Sequence, residues 1–210
     1  SKNKSPNVVT MINTIKPYGR WEKICGKGRI LPAFPGAGGC IEGWILDAQL
    51  LPRAIQPTTF GEIGGRKSSR EEALAYIFRK SHIPYQIVPE MHHWQISHLG
   101  VIIPLADAYY QSRHPEKICA NEKLMTLTAY RMKKNLKWIA QKGMLCPAKL
   151  YMIKDMPTGM LAGVLSRVYQ SEFGNRFLYR HAMHAPEEFQ RLHQEFYNYM
   201  KTHTKESNKA

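Results

Sequence analysis

The stretch AFPGAGGCIEG, residues 33–43, decides how the first half of the chain is read. Glycine-rich turns cradle phosphates because bare backbone N–H groups can close on an anion. Spacing settles whether this one does. A dinucleotide-binding turn needs G-x-G-x-x-G between a strand and a helix. Counted from Gly36, the third glycine would stand at Ile41; counted from Gly26 and Gly28, it would stand at Leu31. The other common phosphate loop needs glycine directly before Lys-Ser/Thr. In GEIGGRKSS (61–69), Arg66 precedes Lys67. None of the three clusters fits, and all read as tight turns between strands, where glycine supplies positive φ. FPGAGG (34–39) keeps a second reading, as a wall beside a cofactor whose phosphate loop lies elsewhere.

Outward from that stretch, residues 8–88 alternate strand and helix. Residues 8–12 (VVTMI) are a largely β-branched run of the kind found in parallel strands buried on both faces, with Asn13 at its end. KPYGRWEKICGKG (16–28) reads as a short helix or turn closed by glycine. RILPAF (29–34), AIQPTTFGEI (54–63) and IPYQIV (83–88) read as strands, with GGCIEGW (38–44) and a proline-rich turn connecting the first two. SSREEALAYIFRKSH (68–82) reads as a helix capped by Ser69 with Glu72 three residues on, burying Leu74, Ile77 and Phe78.

Past Pro89 only helical periodicity remains. Residues 90–113 form one long pattern through Met91, Trp94, His98, Ile102, Leu105 and Tyr109, with Pro104 inside it. Residues 121–142 form a second, with Leu124, Thr128, Met132, Leu136 and Ile139 on one face and Gly143 as its stop. Residues 147–178 read as shorter helices broken at Pro157, Gly159 and Gly174. Residues 186–200 form a third clear helix, with Pro186, Glu187 and Glu188 in its first turn and Phe189, Leu192, Phe196 and Met200 inward. The polar residues 202–210 read as a disordered tail. The expected organisation is therefore an α/β region over 1–88 and an all-α region over 89–201.

Thirty Lys and Arg against sixteen Asp and Glu give the 210-residue chain a net charge of +14 and a pI near 9.7. Such an excess attracts nucleic acid, anionic membranes or anionic metabolites. The basic residues are scattered, and the densest run, RMKKNLK (131–137), lies in an amphipathic helix and reads as its solvated face. No zinc-finger, RNA-recognition or basic-zipper pattern is present, which ranks nucleic-acid binding last. Cys25, Cys40, Cys119 and Cys146 form no C-x-x-C, so neither a metal centre nor a disulfide framework is expected. They read as free thiols of a cytoplasmic protein. No apolar run is long enough for a bilayer, since MLAGVLSRVY (160–169) is interrupted by Arg167, and no membrane contact is expected. His181, His184 and Glu188 have metal-ligand chemistry, but their spacing is common on helices and no metal is expected.

The ordered set of these features resembles the ketopantoate reductase (2-dehydropantoate 2-reductase) family. It comprises a strand ending in Asn in MINTIKPYG (11–19), the glycine-containing turn, an Ile/Thr-rich glycine stretch, a helix, a strand and a long helix with IPLADAYY (103–110). The resemblance covers most of the chain as the latter two-thirds of a family member; the family's first Rossmann half, with its G-x-G-x-x-G, would precede Ser1. It implies a partial Rossmann-type α/β region followed by a helical domain like the C-terminal domain of 6-phosphogluconate dehydrogenase, with homodimerisation through that domain. It also implies NADPH as cofactor and a small 2-oxo acid as substrate. A sheet edge left open by a missing half would favour self-association.

Carried over by position, Asn13 matches the family's Asn at the nicotinamide end. Ala37 matches the small residue that contacts the cofactor. The acidic residue that holds the ribose falls near Gln194 or Glu195. The catalytic Lys falls on Gln95, and the two substrate-holding Asn fall on Leu99 and Ile103. Gln95 can donate a hydrogen bond but neither a proton nor a charge. His98, three residues on and on the same helical face, is a second candidate proton donor. The alternative is that His98 packs between helices and that His92 and His93 are surface residues. Three functions stay open: an NADPH-dependent 2-oxo acid reductase with a changed acid, a non-catalytic binding or scaffold relative, and a basic nucleic-acid binder. The chain alone is expected to be inactive.

Overall fold

The computed structural model describes residues 4–207. The chain forms two compact units that divide between His92 and His93. The first is a small α/β unit. Its strands β1 (Val8–Met11), β2 (Ile30–Phe34), β5 (Thr58–Phe60) and β6 (Tyr85–Ile87) form one sheet in the order β1-β2-β5-β6. β1 and β2 run parallel, as do β5 and β6, while β2 and β5 are antiparallel. Two helices belong to this unit, α1 (Gly19–Cys25) and α2 (Ser69–Lys80). Its core is aromatic: Phe60 lies 5.7 Å from Phe78 and stacks at 6.0 Å on Tyr85, beside Ala33 and Ala75.

Several expectations change here. β1 is an edge strand that pairs only with β2 among the described residues, so one of its edges stays unpaired. Val9 and Met11 are exposed, which corrects the reading of a strand buried on both faces. The segment around residues 38–44 is not a simple connection. It is an antiparallel hairpin, β3 (Ala37–Glu42) and β4 (Ile45–Leu50), turning at Gly43 with φ +61°. The cap of α2 is Ser68 rather than Ser69: its hydroxyl accepts from the Glu71 N–H, and the Glu71 carboxylate accepts from the Ser68 N–H. This frame buries Glu71, Ala75 and Phe78 and leaves Ile77 exposed.

The second unit is helical. It holds α3 (Met91–Gln111) beyond its first two residues, α4 (Glu122–Gln141), α5 (Lys149–Asp155), α6 (Thr158–Gln170), α7 (Arg180–His184) and α8 (Pro186–Ser207). A 3-10 turn (Pro115–Ala120) and a π-helical turn (Gly174–Tyr179) link them. Asn121 caps α4 by accepting from the Leu124 N–H, and Gly143 follows it at φ +68°. Gly159 does not break a helix; it sits in the first turn of α6.

Pro104 lies inside α3 and cannot donate to the carbonyl of Gly100. The buried Asn135 of α4 supplies that donor, Nδ2 to Gly100 O at 3.2 Å. The two helices meet closely there, since a Cβ on Gly100 would lie 2.7 Å from Ile139 Cδ1. α8 runs on through Thr202–Ser207, which the sequence marks as tail. Trp138 Nε1 donates to Thr204 Oγ1 and Lys142 Nζ to His203 O, each at 2.8 Å, and these bonds hold the extension. Residues 208–210 lie outside the described residues. No described helix is long and apolar enough to cross a membrane.

Candidate functional site

The parallel pair β1–β2 creates a carboxyl edge, the place where open α/β sheets gather ligands. Met11 pairs with Ala33, so Asn13 and the Pro35–Gly36–Ala37 turn both lie just past the ends of adjacent strands. Asn13 is half-buried and Ala37 is exposed at the start of β3. Gly36 is required by close approach, because a Cβ there would stand 2.3 Å from the Thr58 nitrogen. Its N–H donates to Thr58 Oγ1 at 3.0 Å. The glycine of the opening stretch thus packs backbone on backbone and shapes a wall.

Two hydrogen bonds fix the loop after Asn13. Lys16 N–H donates to Thr14 Oγ1 at 3.1 Å, and His92 Nε2 donates to the Ile15 carbonyl at 2.9 Å. The buried Tyr18 meets the His92 ring edge-on, and its phenol is pushed up in pKa by burial first and by Glu90 second. His92 is therefore a loop anchor rather than a surface residue. Thr10 Oγ1 on β1 is buried without a hydrogen-bond partner.

In the helical unit, α3 carries Gln95 and His98. Gln95 is buried. His98 is half-buried and lies flat on Trp94, with ring centroids 5.0 Å apart and planes 9° apart. Desolvation, reinforced by His181, lowers the His98 pKa from 6.5 to about 3. The ring is therefore held neutral near pH 7, the form that offers one hydrogen-bond donor and one acceptor. Leu99 and Ile103, where the resembling family has amides, are fully buried in the apolar core.

Glu195 is half-buried on α8. Sequence reading passed over its neighbour His193, whose Nδ1 meets Asp107 Oδ2 at 2.9 Å and Oδ1 at 3.0 Å. Nothing local in the sequence pairs positions 86 residues apart. His184 Nδ1 donates to the Arg180 carbonyl at 2.7 Å, and His181 packs edge-on against Phe189. Among the described residues no three His, Cys, Asp or Glu side chains converge in a metal-holding group. Gln95 and His98 thus share one helix, and Asn13 and Ala37 share one sheet edge.

The described residues thus form a small mixed sheet followed by a largely helical region. No family model matches the chain, and no curated protein does. Among solved structures it is similar to a 2-dehydropantoate 2-reductase from Geobacter metallireducens, with a TM-score of 0.54 and 15% identity over 90% of this chain and 66% of that one. It is also similar to the 2-dehydropantoate 2-reductase from Porphyromonas gingivalis, with a TM-score of 0.45 and 12% identity over 86% of this chain and 63% of that one. The first likeness establishes the fold: a partial Rossmann-type region followed by a helical domain. The chain spans about two-thirds of the length of each structure.

Proposed function

We propose that this chain provides the nicotinamide-side and substrate-side parts of a reductase that uses NADPH on a small 2-oxo acid. One observation carries this reading: the β1–β2 carboxyl edge gathers Asn13 and the Gly36–Ala37 wall. The residues present fit the nicotinamide end of such a cofactor. They do not fit its diphosphate, because no G-x-G-x-x-G occurs in the chain. When bound, the cofactor supplies hydride. The chain's own task is then to orient the carbonyl and stabilise its developing oxyanion. Gln95 and neutral His98 can each donate one hydrogen bond to that oxygen and cannot deliver a full positive charge. Glu195 is the carboxylate proposed for the ribose.

A second reading is favoured by a specific observation. Leu99 and Ile103 are core residues, so two polar substrate contacts of the resembling family have no counterpart here. That favours a relative that keeps cofactor or metabolite binding and has lost ketopantoate reduction.

The test is an NADPH titration by nicotinamide fluorescence, with amide NMR shifts mapped in parallel. Binding weaker than about 10 µM is expected, because the chain holds no G-x-G-x-x-G turn to cradle the diphosphate. Shifts should centre on Asn13 and Ala37 and vanish in Asn13→Ala. No shift at millimolar NADPH would remove the cofactor reading.

A further inference from the structure

The β3–β4 hairpin carries a face that the proposed function does not use. Directly opposed residues of an antiparallel pair share a face, and successive pairs alternate. Ala37↔Leu50, Gly39↔Ala48 and Ile41↔Leu46 therefore lie together, and that face holds no polar side chain. Asp47 and Gln49 belong to the other face. Such alternation is the mark of a sheet with one side against apolar matter. Here the apolar side is in water: Ile41 is 73% exposed, Leu46 68% and Leu50 44%, and Trp44 in the turn is fully exposed. Ile41, Trp44, Leu46 and Leu50 together present on the order of 600 Å² of largely apolar surface, the upper end of what a monomer carries.

Charge and area point to one occupant. The whole chain is +14, so two copies repel over most of their surfaces. Between the turn and Leu50 the apolar face bears no charge, and repulsion there is least. A two-fold contact uses the same patch twice, which gives an interface on the order of 1,200 Å², the lower bound for a specific association. Trp44 is the residue type that anchors such contacts. We infer that the chain self-associates through the β3–β4 hairpin, with Ile41, Trp44 and Leu46 of one copy packed on the same residues of a second. This contact is distinct from dimerisation through the helical region, and it is independent of the cofactor reading.

Sedimentation velocity on the chain and on Leu46→Lys and Trp44→Lys tests it, with circular dichroism as the control for folding. Both substituted side chains are exposed, so the spectra should not change. The chain should dimerise with a Kd on the order of 10 µM, and each variant should weaken this at least about tenfold. Raising salt from about 50 to about 500 mM should strengthen the dimer, because screening relieves repulsion between like-charged copies. A chain that stays monomeric at about 200 µM overturns the inference, whether or not it binds lipid vesicles through Trp44. A dimer that both variants leave intact overturns it equally.

Discussion

Burial decides what His98 can do. A histidine whose pKa falls from 6.5 to about 3 on folding excludes a proton that the unfolded chain accepts. Its neutral form is accommodated at full stability above about pH 6.5. As pH falls from there towards 3, the unfolded state gains protons first and stability drops. Imidazole nitrogen shifts should therefore show His98 neutral at pH 5. The denaturation midpoint should fall between pH 7 and pH 4, and His98→Phe should remove part of that fall. A His98 that titrates near 6.5 would contradict the packing described. Helical counting places Gln95 and His98 on one face, and this much is legible in the sequence. The Trp94 stack follows from the same periodicity. The electrostatic effect of His181 does not, because it comes from a helix more than eighty positions away. The same holds for Pro104: the sequence displays the missing donor, and only the fold displays Asn135 replacing it.

Elements were legible where one period dominates, and misread where two frames compete. SSREE supports two capping boxes, Ser68 with Glu71 and Ser69 with Glu72, and local sequence cannot choose between them. Tertiary bonding chooses the first. Glu71 Oε1 accepts from the Glu62 N–H at 2.8 Å, and the preceding residue, Arg70, pairs with the Glu62 carboxylate. The same guanidinium donates to the carbonyls of Gly28 at 2.7 Å and Ile30 at 3.0 Å, tying the start of β2 to α2. The hydrogen bond from Arg70 is the main cause that holds the Glu62 pKa below the ordinary carboxylate range. Its stabilisation is present above that range and is lost as pH falls through the lowered value. Arg70→Leu leaves a buried carboxylate and two carbonyls without their partner, at a cost of roughly 3 kcal/mol. Urea denaturation at neutral pH measures this, and a midpoint equal to the parent's would show that the clamp contributes nothing. The hairpin was hidden for a different reason. Gly38, Gly39 and Gly43 resemble turn residues, and the alternation of Ile41, Leu46 and Ala48 emerges only once the strands are paired. The last turns of α8 are polar in sequence and are fixed from α4, which no local pattern reveals.

At the scale of the whole molecule, charge separates the remaining functions. Thirteen basic residues face seven acidic ones up to His92, and seventeen face nine beyond it. Both units are therefore cationic by similar amounts. Part of the positive charge is already used inside the fold: Arg70 is bound to Glu62, Lys142 donates to the His203 carbonyl, and Lys154 pairs with Asp155. A protein that reads nucleic acid clusters its cations so that several phosphates are neutralised at once. A protein that draws small anions needs only a diffuse positive field around a polar edge such as that at Asn13. These two designs differ in salt response. Binding to a duplex of about 20 base pairs should be no tighter than roughly 1 µM at about 150 mM salt, independent of sequence, and lost on modest addition of salt. Fluorescence anisotropy across a salt series measures it. Nanomolar affinity that persists at physiological salt would mean that the cationic faces converge on phosphates, and nucleic-acid binding would then replace the metabolite reading.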